Sequence, residues 1–161
     1  MSESARRHYL ESAEELLVDQ LIMVKKFIIQ NTPKGSLLPD IESIKKVYSD
    51  QRNKHPKAVI YDVSKDSTDI ECYITDSEGT VLFHSQNHAY IGQSFLKWRN
   101  IFLALGNNYG ARSTRDVKDD PTTSNLHVTH PLLLEGELIG TLTLVKPVKR
   151  ISFYLELSRN R

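Results

Sequence analysis

Arg112 and Thr114 stand two residues apart in a short polar run, Ala111 to Thr114. On a β-strand that spacing turns both side chains to one face. A guanidinium offers a planar fork of donors that matches a carboxylate or phosphate, so the pair could line a pocket for an anion. Spacing alone slightly favours a surface arginine on an edge strand. Trp98 and Tyr109 could wall such a pocket, each with an apolar body and a polar tip, although Trp98 fits a plain core position equally well. Tyr73, His127 and Thr129 fall on the polar faces of their strands, where they could meet Arg112 across a sheet. Thr141 and Thr143 are polar positions in an otherwise apolar strand, which suggests a sheet face that is not wholly dry. Lys146, at a strand end, reads as a solvated charge.

Groups that make and break bonds are missing from the pattern. His127 and His130, three apart on a strand, point to opposite faces, and no Cys or acid completes a metal set. The chain has no nucleophile elbow, no Walker loop and no glycine-rich dinucleotide fingerprint. No cofactor is expected. The residue types point to recognition and not to catalysis.

The elements that would position these residues can be read from periodicity. From about Ser4 to Gln30, Leu10, Leu17, Leu21, Val24 and Ile28 recur at helical spacing, with Leu16, Met23 and Phe27 widening the face. At ~1.5 Å per residue the helix is about 40 Å long. It either lies across its own sheet, or projects or pairs with a second copy through Leu10, Leu17 and Leu21. Asn31 to Gly35 stops it. A second helix is expected from about Pro39 to Asn53, N-capped by Asp40, with Ile41, Ile44, Val47 and Tyr48 inward.

Strands follow: Ala58–Val63, a turn at Ser64–Thr68, Asp69–Thr75, a tight turn at Asp76–Gly79, and Thr80–Ser85. A helix from about Ser94 to Leu105 carries Trp98, and the Arg112 strand follows. Asp116–Ser124 reads as a patternless polar loop, and two final strands, Asn125–Leu134 and Glu137–Lys146, join at Glu135-Gly136 as a hairpin. Val148 to Leu157 has helical spacing. Two helices and then an antiparallel meander interrupted by one helix make an α+β domain. The expected form is a five-stranded sheet with the long N-terminal helix and the second helix on one face and a pocket on the other.

The 161 residues, 39% hydrophobic and 25% charged, fit one domain able to bury a core. A net charge of +1 with no basic cluster argues against nucleic acid as a partner. The single Cys72 excludes an internal disulfide and reads as a small buried hydrophobe. No apolar run approaches the roughly twenty residues of a membrane span, and no signal peptide is legible. The chain is expected to be soluble and to be a piece of a longer protein.

The runs Ile74-Thr75-Asp76-Ser77-Glu78-Gly79-Thr80-Val81-Leu82-Phe83, Ile91-Gly92-Gln93 with Trp98, Tyr109-Gly110-Ala111-Arg112-Ser113-Thr114, and Leu138-Ile139-Gly140 with Val145-Lys146-Pro147 resemble the sensor region of CreC-type bacterial histidine kinases. The likeness covers about Ile70 to Pro147. It implies a PAS-like extracytoplasmic domain of the PDC or single Cache kind. In this chain that means a helical part over 1–57, a sheet core over 58–147 and an exit segment over 148–161 leading toward a second membrane helix. The resemblance further implies a periplasmic domain of a membrane-anchored parent, a protein-histidine kinase with its response regulator. It shifts the reading of Arg112 from surface to pocket, where the guanidinium fork would suit a small, anionic metabolite as ligand. The ligand-contact set is then Arg112, Thr114, Tyr109, Trp98, Tyr73, His127, Thr129 and Thr143. One departure stands out: where the family usually has an acid before Ser85, this chain has His84. The competing reading is a ligand-free interaction or dimerisation module on the same fold.

Overall fold

A computed structural model describes residues 2–50, 58–60, 63–65 and 68–148, with 58–60 and 63–65 described for their backbone only. Helix α1, Glu3–Asn31, starts where the Ser2 hydroxyl accepts the Ala5 N–H, with Glu3 in the first turn. It ends at Thr32, whose Oγ1 donates to Ile28 O (2.7 Å) and accepts the Asp40 N–H (3.0 Å). Pro33 forbids a further turn. Leu17, Leu21 and Ile28 are buried against Cys72, Ile74, Phe83, Val128, Leu132, Leu142 and Leu144 of the sheet. The helix therefore lies across its own sheet.

Helix α2 is shorter than expected, Glu42–Ser49. Asp40 does act at its start, accepting the Ser43 N–H at 3.4 Å. Ile44 is buried and Ile41 and Tyr48 pack beside it, but Val47 lies 47% exposed. So short a helix turns only one stripe to the sheet. The Ala58–Val63 run is not one strand. Ala58–Ile60 (β1) folds back antiparallel on Val63–Lys65 (β2), Ile60 opposite Val63, as a two-stranded ribbon that includes the expected turn residue Ser64.

The main sheet comprises β3 (Glu71–Asp76), β4 (Val81–His84), β5 (Gly110–Arg115), β6 (Ser124–Leu134) and β7 (Glu137–Pro147), all antiparallel in the order β4-β3-β7-β6-β5. The β3–β4 turn closes on Asp76 Oδ1, which accepts the N–H groups of Glu78 and Thr80. The β6–β7 turn places Glu135 and Gly136 both at positive φ, the geometry that suits the twist of a two-residue hairpin. Strand alternation separates two environments. Cys72, Ile74, Leu142, Leu144 and Val128 face α1, while Tyr73, Thr75, Thr141, Thr143 and Thr129 face away from it.

Part of that second face is covered by α3, Arg99–Leu105. The expected helix began at Ser94. Instead the Phe95 N–H donates to Gly79 O and Ser94 bridges Thr80, which ties Ser94–Phe95 to the β3–β4 turn. Trp98 therefore sits as the N-cap residue, before the helix. Gly110 is required beneath α3, because a Cβ there would collide with the backbone of Asn100. The segment Val148–Leu157, read as helical, lies outside the described residues beyond Val148.

Leu21 is fully buried between α1 and the sheet. Leu21→Ala is expected to cost about 2–5 kcal/mol in urea unfolding, while Leu16→Ala, at 64% exposure, should change stability little. Equal effects at both positions would contradict this placement of α1.

Candidate functional site

The second sheet face is polar yet largely closed. Thr75 and Thr141 share a hydroxyl hydrogen bond of 2.7 Å, as do Thr129 and Thr143. All four are fully buried, so these threonines satisfy one another and do not mark a wet surface. Asn100, on the inner side of α3, spends both amide hydrogens here, donating to Thr129 Oγ1 and to Tyr73 Oη, each at 2.9 Å.

With Asn100 donating to its oxygen, the Tyr73 hydroxyl is free to donate to His127 Nδ1 at 2.9 Å. A neutral His127 then carries its proton on Nε2 and donates to Thr114 Oγ1 at 3.0 Å. The resulting chain, Asn100 to Tyr73 to His127 to Thr114, runs from the roof helix across three strands. Burial, the Arg112 charge and His84 pull the His127 pKa down to about 3, so the ring is neutral near pH 7. Burial holds the Tyr73 phenol in its protonated form, although the Asn100 and Arg112 interactions offset part of that shift.

Arg112 lies opposite His127 on β5, and its guanidinium carbon stands 4.1 Å from the Trp98 ring centroid. Trp98 is itself stacked on Phe95 at 3.6 Å, and Tyr90 meets both rings edge-on. Arg112 Nε is buried and has no hydrogen-bond partner among the described residues. A buried donor left unpaired costs about 1–3 kcal/mol, a cost that a bound acceptor would remove. His84 stacks on Tyr73, with ring planes 7° apart and centroids at 5.5 Å. Its Nδ1 accepts the N–H groups of Gln86 and Asn87, which puts the proton of the neutral ring on Nε2. Burial and His88 lower its pKa.

These groups surround an open cleft of about 550 Å³ in which Tyr73, Trp98, Arg112, Thr114 and His127 come together. Sequence reasoning named those five. Thr129 and Thr143 lie on the same sheet face but form the floor under Asn100, away from the cleft lining. Tyr109 is elsewhere. It precedes Gly110 in β5, so alternation sends it to the α1 side, where its hydroxyl donates to Glu14 Oε1 at 3.2 Å. Lys146 is not a free solvated charge, since it pairs with Asp69 at 2.6 Å with both side chains about one-fifth exposed.

Asn100, Tyr90, Asn125 and the contact role of His84 were missed. The signals were there: His84 pairs with Tyr73 across β3–β4, and Asn100 interrupts the inward face that Ile101 and Ala104 define. Glu71, Asp116, Val145 and Pro147 also line the cleft. Cys72 is fully buried and burial raises its pKa, so it is no nucleophile. Among the described residues no group of three His, Cys, Asp or Glu could hold a metal, and no helix is long and apolar enough to cross a membrane.

The sheet order, the long α1 on one face and the cleft on the other define an α+β domain built on a five-stranded antiparallel sheet. In sequence, the chain is a homologue of part of the sensor protein CreC of Escherichia coli (strain K12), 28% identical over 150 residues. That match covers 93% of this chain and 31% of the relative, so the chain spans about a third of its length. No family model matches. Solved structures with partial likeness include the sensor domain of the Vibrio cholerae histidine kinase DctB, at TM-score 0.44, 14% identity, 52% of this chain and 33% of that one. Another is the Escherichia coli DcuS sensor domain, at 0.43, 21%, 53% and 60%. A third is an extracellular ligand binding receptor from Desulfohalobium retbaense, at 0.49, 13%, 98% and 27%.

The unfolded His127 takes up its proton near pH 6.5, the folded one only near 3. The unfolded chain therefore binds more protons between these values. The stability contributed by the neutral ring is complete above about pH 6.5 and is lost as pH falls toward 3. In urea titrations at pH 7.5 and 5.0, the wild type should lose more stability than His127→Gln, and parallel losses would remove His127 from the buried network.

Proposed function

We propose that this chain is the extracytoplasmic, ligand-sensing domain of a membrane-anchored sensor histidine kinase, and that a small anionic metabolite binds in the cleft against Arg112. The observation that carries this reading is the guanidinium itself: held against Trp98, facing two neutral histidines, with Nε buried and unpaired. The contact set is Arg112, Thr114, Trp98, Tyr73 and His127, joined by His84 and Asn125 and supported from below by Asn100, Thr129 and Thr143. His84 Nε2–H adds a donor to a cleft that Glu71 and Asp116 also line. Similarity to the sensor protein CreC supports the kinase context. The kinase activity, the response regulator and a periplasmic location belong to the proposal for the whole protein.

The route out of the cleft is short. Val145 and Pro147 line it from the end of β7. The Val148 N–H then donates to Ser124 O, and Arg6 Nη2 on α1 donates to Pro121 O in the same 116–124 loop. Glu3, Arg6 and Leu10 of α1 share a second crevice with Val148, so the start of α1 and the end of β7 are neighbours. A ligand that binds one arrangement of this loop more tightly would bias both terminal segments, by no more than its difference in affinity.

The interaction-module reading needs a different helix face from the one expected. Leu17 and Leu21 are consumed by the core. The outward face of α1 instead presents Tyr9, Leu16, Met23 and Phe27, all exposed, at spacings of seven, seven and four. That repeat suits pairing with a second copy through α1, alongside ligand binding.

In thermal-shift measurements against a panel of carboxylate and phosphate metabolites, wild type should be stabilised by at least one anion and Arg112→Ala should lose most of that shift. Equal shifts in both proteins would contradict the Arg112 role. In sedimentation equilibrium, Leu16→Glu with Met23→Glu should weaken self-association, and no change would leave α1 outside any dimer contact.

A further inference from the structure

A second cleft, of about 510 Å³, opens on the opposite face of the sheet, between the C-terminal half of α1 and the start of β5 beside β6. Lys25, Lys26, Asn107, Asn108, Tyr109 and His130 line it, and none of its lining residues is acidic. Lys25 Nζ stands 3.0 Å from His130 Nδ1. An ammonium can only donate, so Nδ1 accepts and the neutral imidazole carries its proton on Nε2. The described residues give that N–H no acceptor, and they give Lys25 no carboxylate.

Lys25 is half-buried, so its charge is drawn partly out of water with a neutral ring as its protein partner. Cations in that position are ordinarily paired. Burial and the neighbouring Lys26 lower the Lys25 pKa, and burial and Lys25 lower that of His130. Two ammonium groups thus share a partly buried site, and the nearest carboxylate the structure places beside its lining is Glu14, bound to the Tyr109 hydroxyl at 3.2 Å. The Tyr109 and His130 rings meet edge to face with centroids 5.8 Å apart.

We propose that this cleft is a binding site for a small, multiply charged oxyanion of the phosphate type, held by the Lys25 and Lys26 ammonium groups and the His130 Nε2–H. The site is separate from the Arg112 cleft, since the sheet lies between them. Lys25 belongs to α1 and His130 to β6, so a bound oxyanion ties the helix to the sheet at the end remote from its first turns.

The test is NMR titration of the His130 imidazole resonances with sodium phosphate, at fixed pH and with ionic strength held by sodium chloride, in the 161-residue chain. Wild type and Arg112→Gln should show the same saturable shift. Lys25→Gln removes a charge-assisted hydrogen bond and should bind about tenfold more weakly or worse. Lys26→Gln, at an exposed position, should weaken binding several-fold and covers the case in which Lys25→Gln folds poorly. A non-saturating drift in wild type, or unchanged affinity in both lysine variants, overturns the proposal. Loss of the shift in Arg112→Gln assigns the anion to the other cleft and overturns it as well.

Discussion

The structure depends on one buried hydrogen-bond chain, from the Asn100 amide through the Tyr73 hydroxyl and the His127 imidazole to the Thr114 hydroxyl. A sheet face lined with hydroxyls, an amide and an imidazole would be unstable under a helix unless each group found a partner. Here most partners are supplied by the sheet itself and by one residue of α3, whose own Oδ1 has no partner among the described residues. This lets a polar surface be closed over most of its area and open at one end, where Arg112 stands. The same network fixes tautomers, because an Asn that donates to Tyr73 orients its proton toward His127. His127 therefore faces Arg112 as a neutral ring and not as a second cation.

The two sheet faces divide the work. Against α1 the sheet is aliphatic, and Leu17, Leu21 and Ile28 seal it by burial alone. Against α3 it is specified by directional bonds, so its shape is held more exactingly than an apolar surface would be. Strand β7 belongs to both environments, with Leu142 and Leu144 in one and Thr141, Thr143 and Val145 in the other. A change in the cleft at Val145 and Pro147 therefore reaches Val148, the residue that follows β7.

Much of this was legible in the sequence because two periods carry it. The 3.6-residue stripe of α1 marks the helix while leaving open what it packs on, the alternation of Cys72, Tyr73 and Ile74 separates the two sheet faces, and the β6–β7 hairpin is set by Glu135-Gly136. The errors have equally specific causes. Phe95 and Trp98 mimic helical spacing, but the Phe95 N–H is committed to Gly79 O, so the helix starts later. Tyr109 reads as a pocket wall beside Arg112 because of its apolar body and polar tip, although alternation over three residues separates them. The inward threonines looked wet because no pattern in one strand reveals a hydroxyl partner on the next. The polar Asn100 on the inward face of α3 is legible, but its bonding is not, because its partners are 27 and 29 residues away.

Recognition in this cleft depends on the Arg112 guanidinium, which lines it with Nε buried and without an acceptor. The most direct measurement follows the Arg112 Nε–H resonance by nitrogen-15 NMR while an anion that stabilises the domain is added. The resonance should move downfield and its exchange with water should slow as Nε gains the acceptor it lacks. A stabilising anion that leaves the Arg112 Nε–H unchanged in shift and exchange would contradict the account.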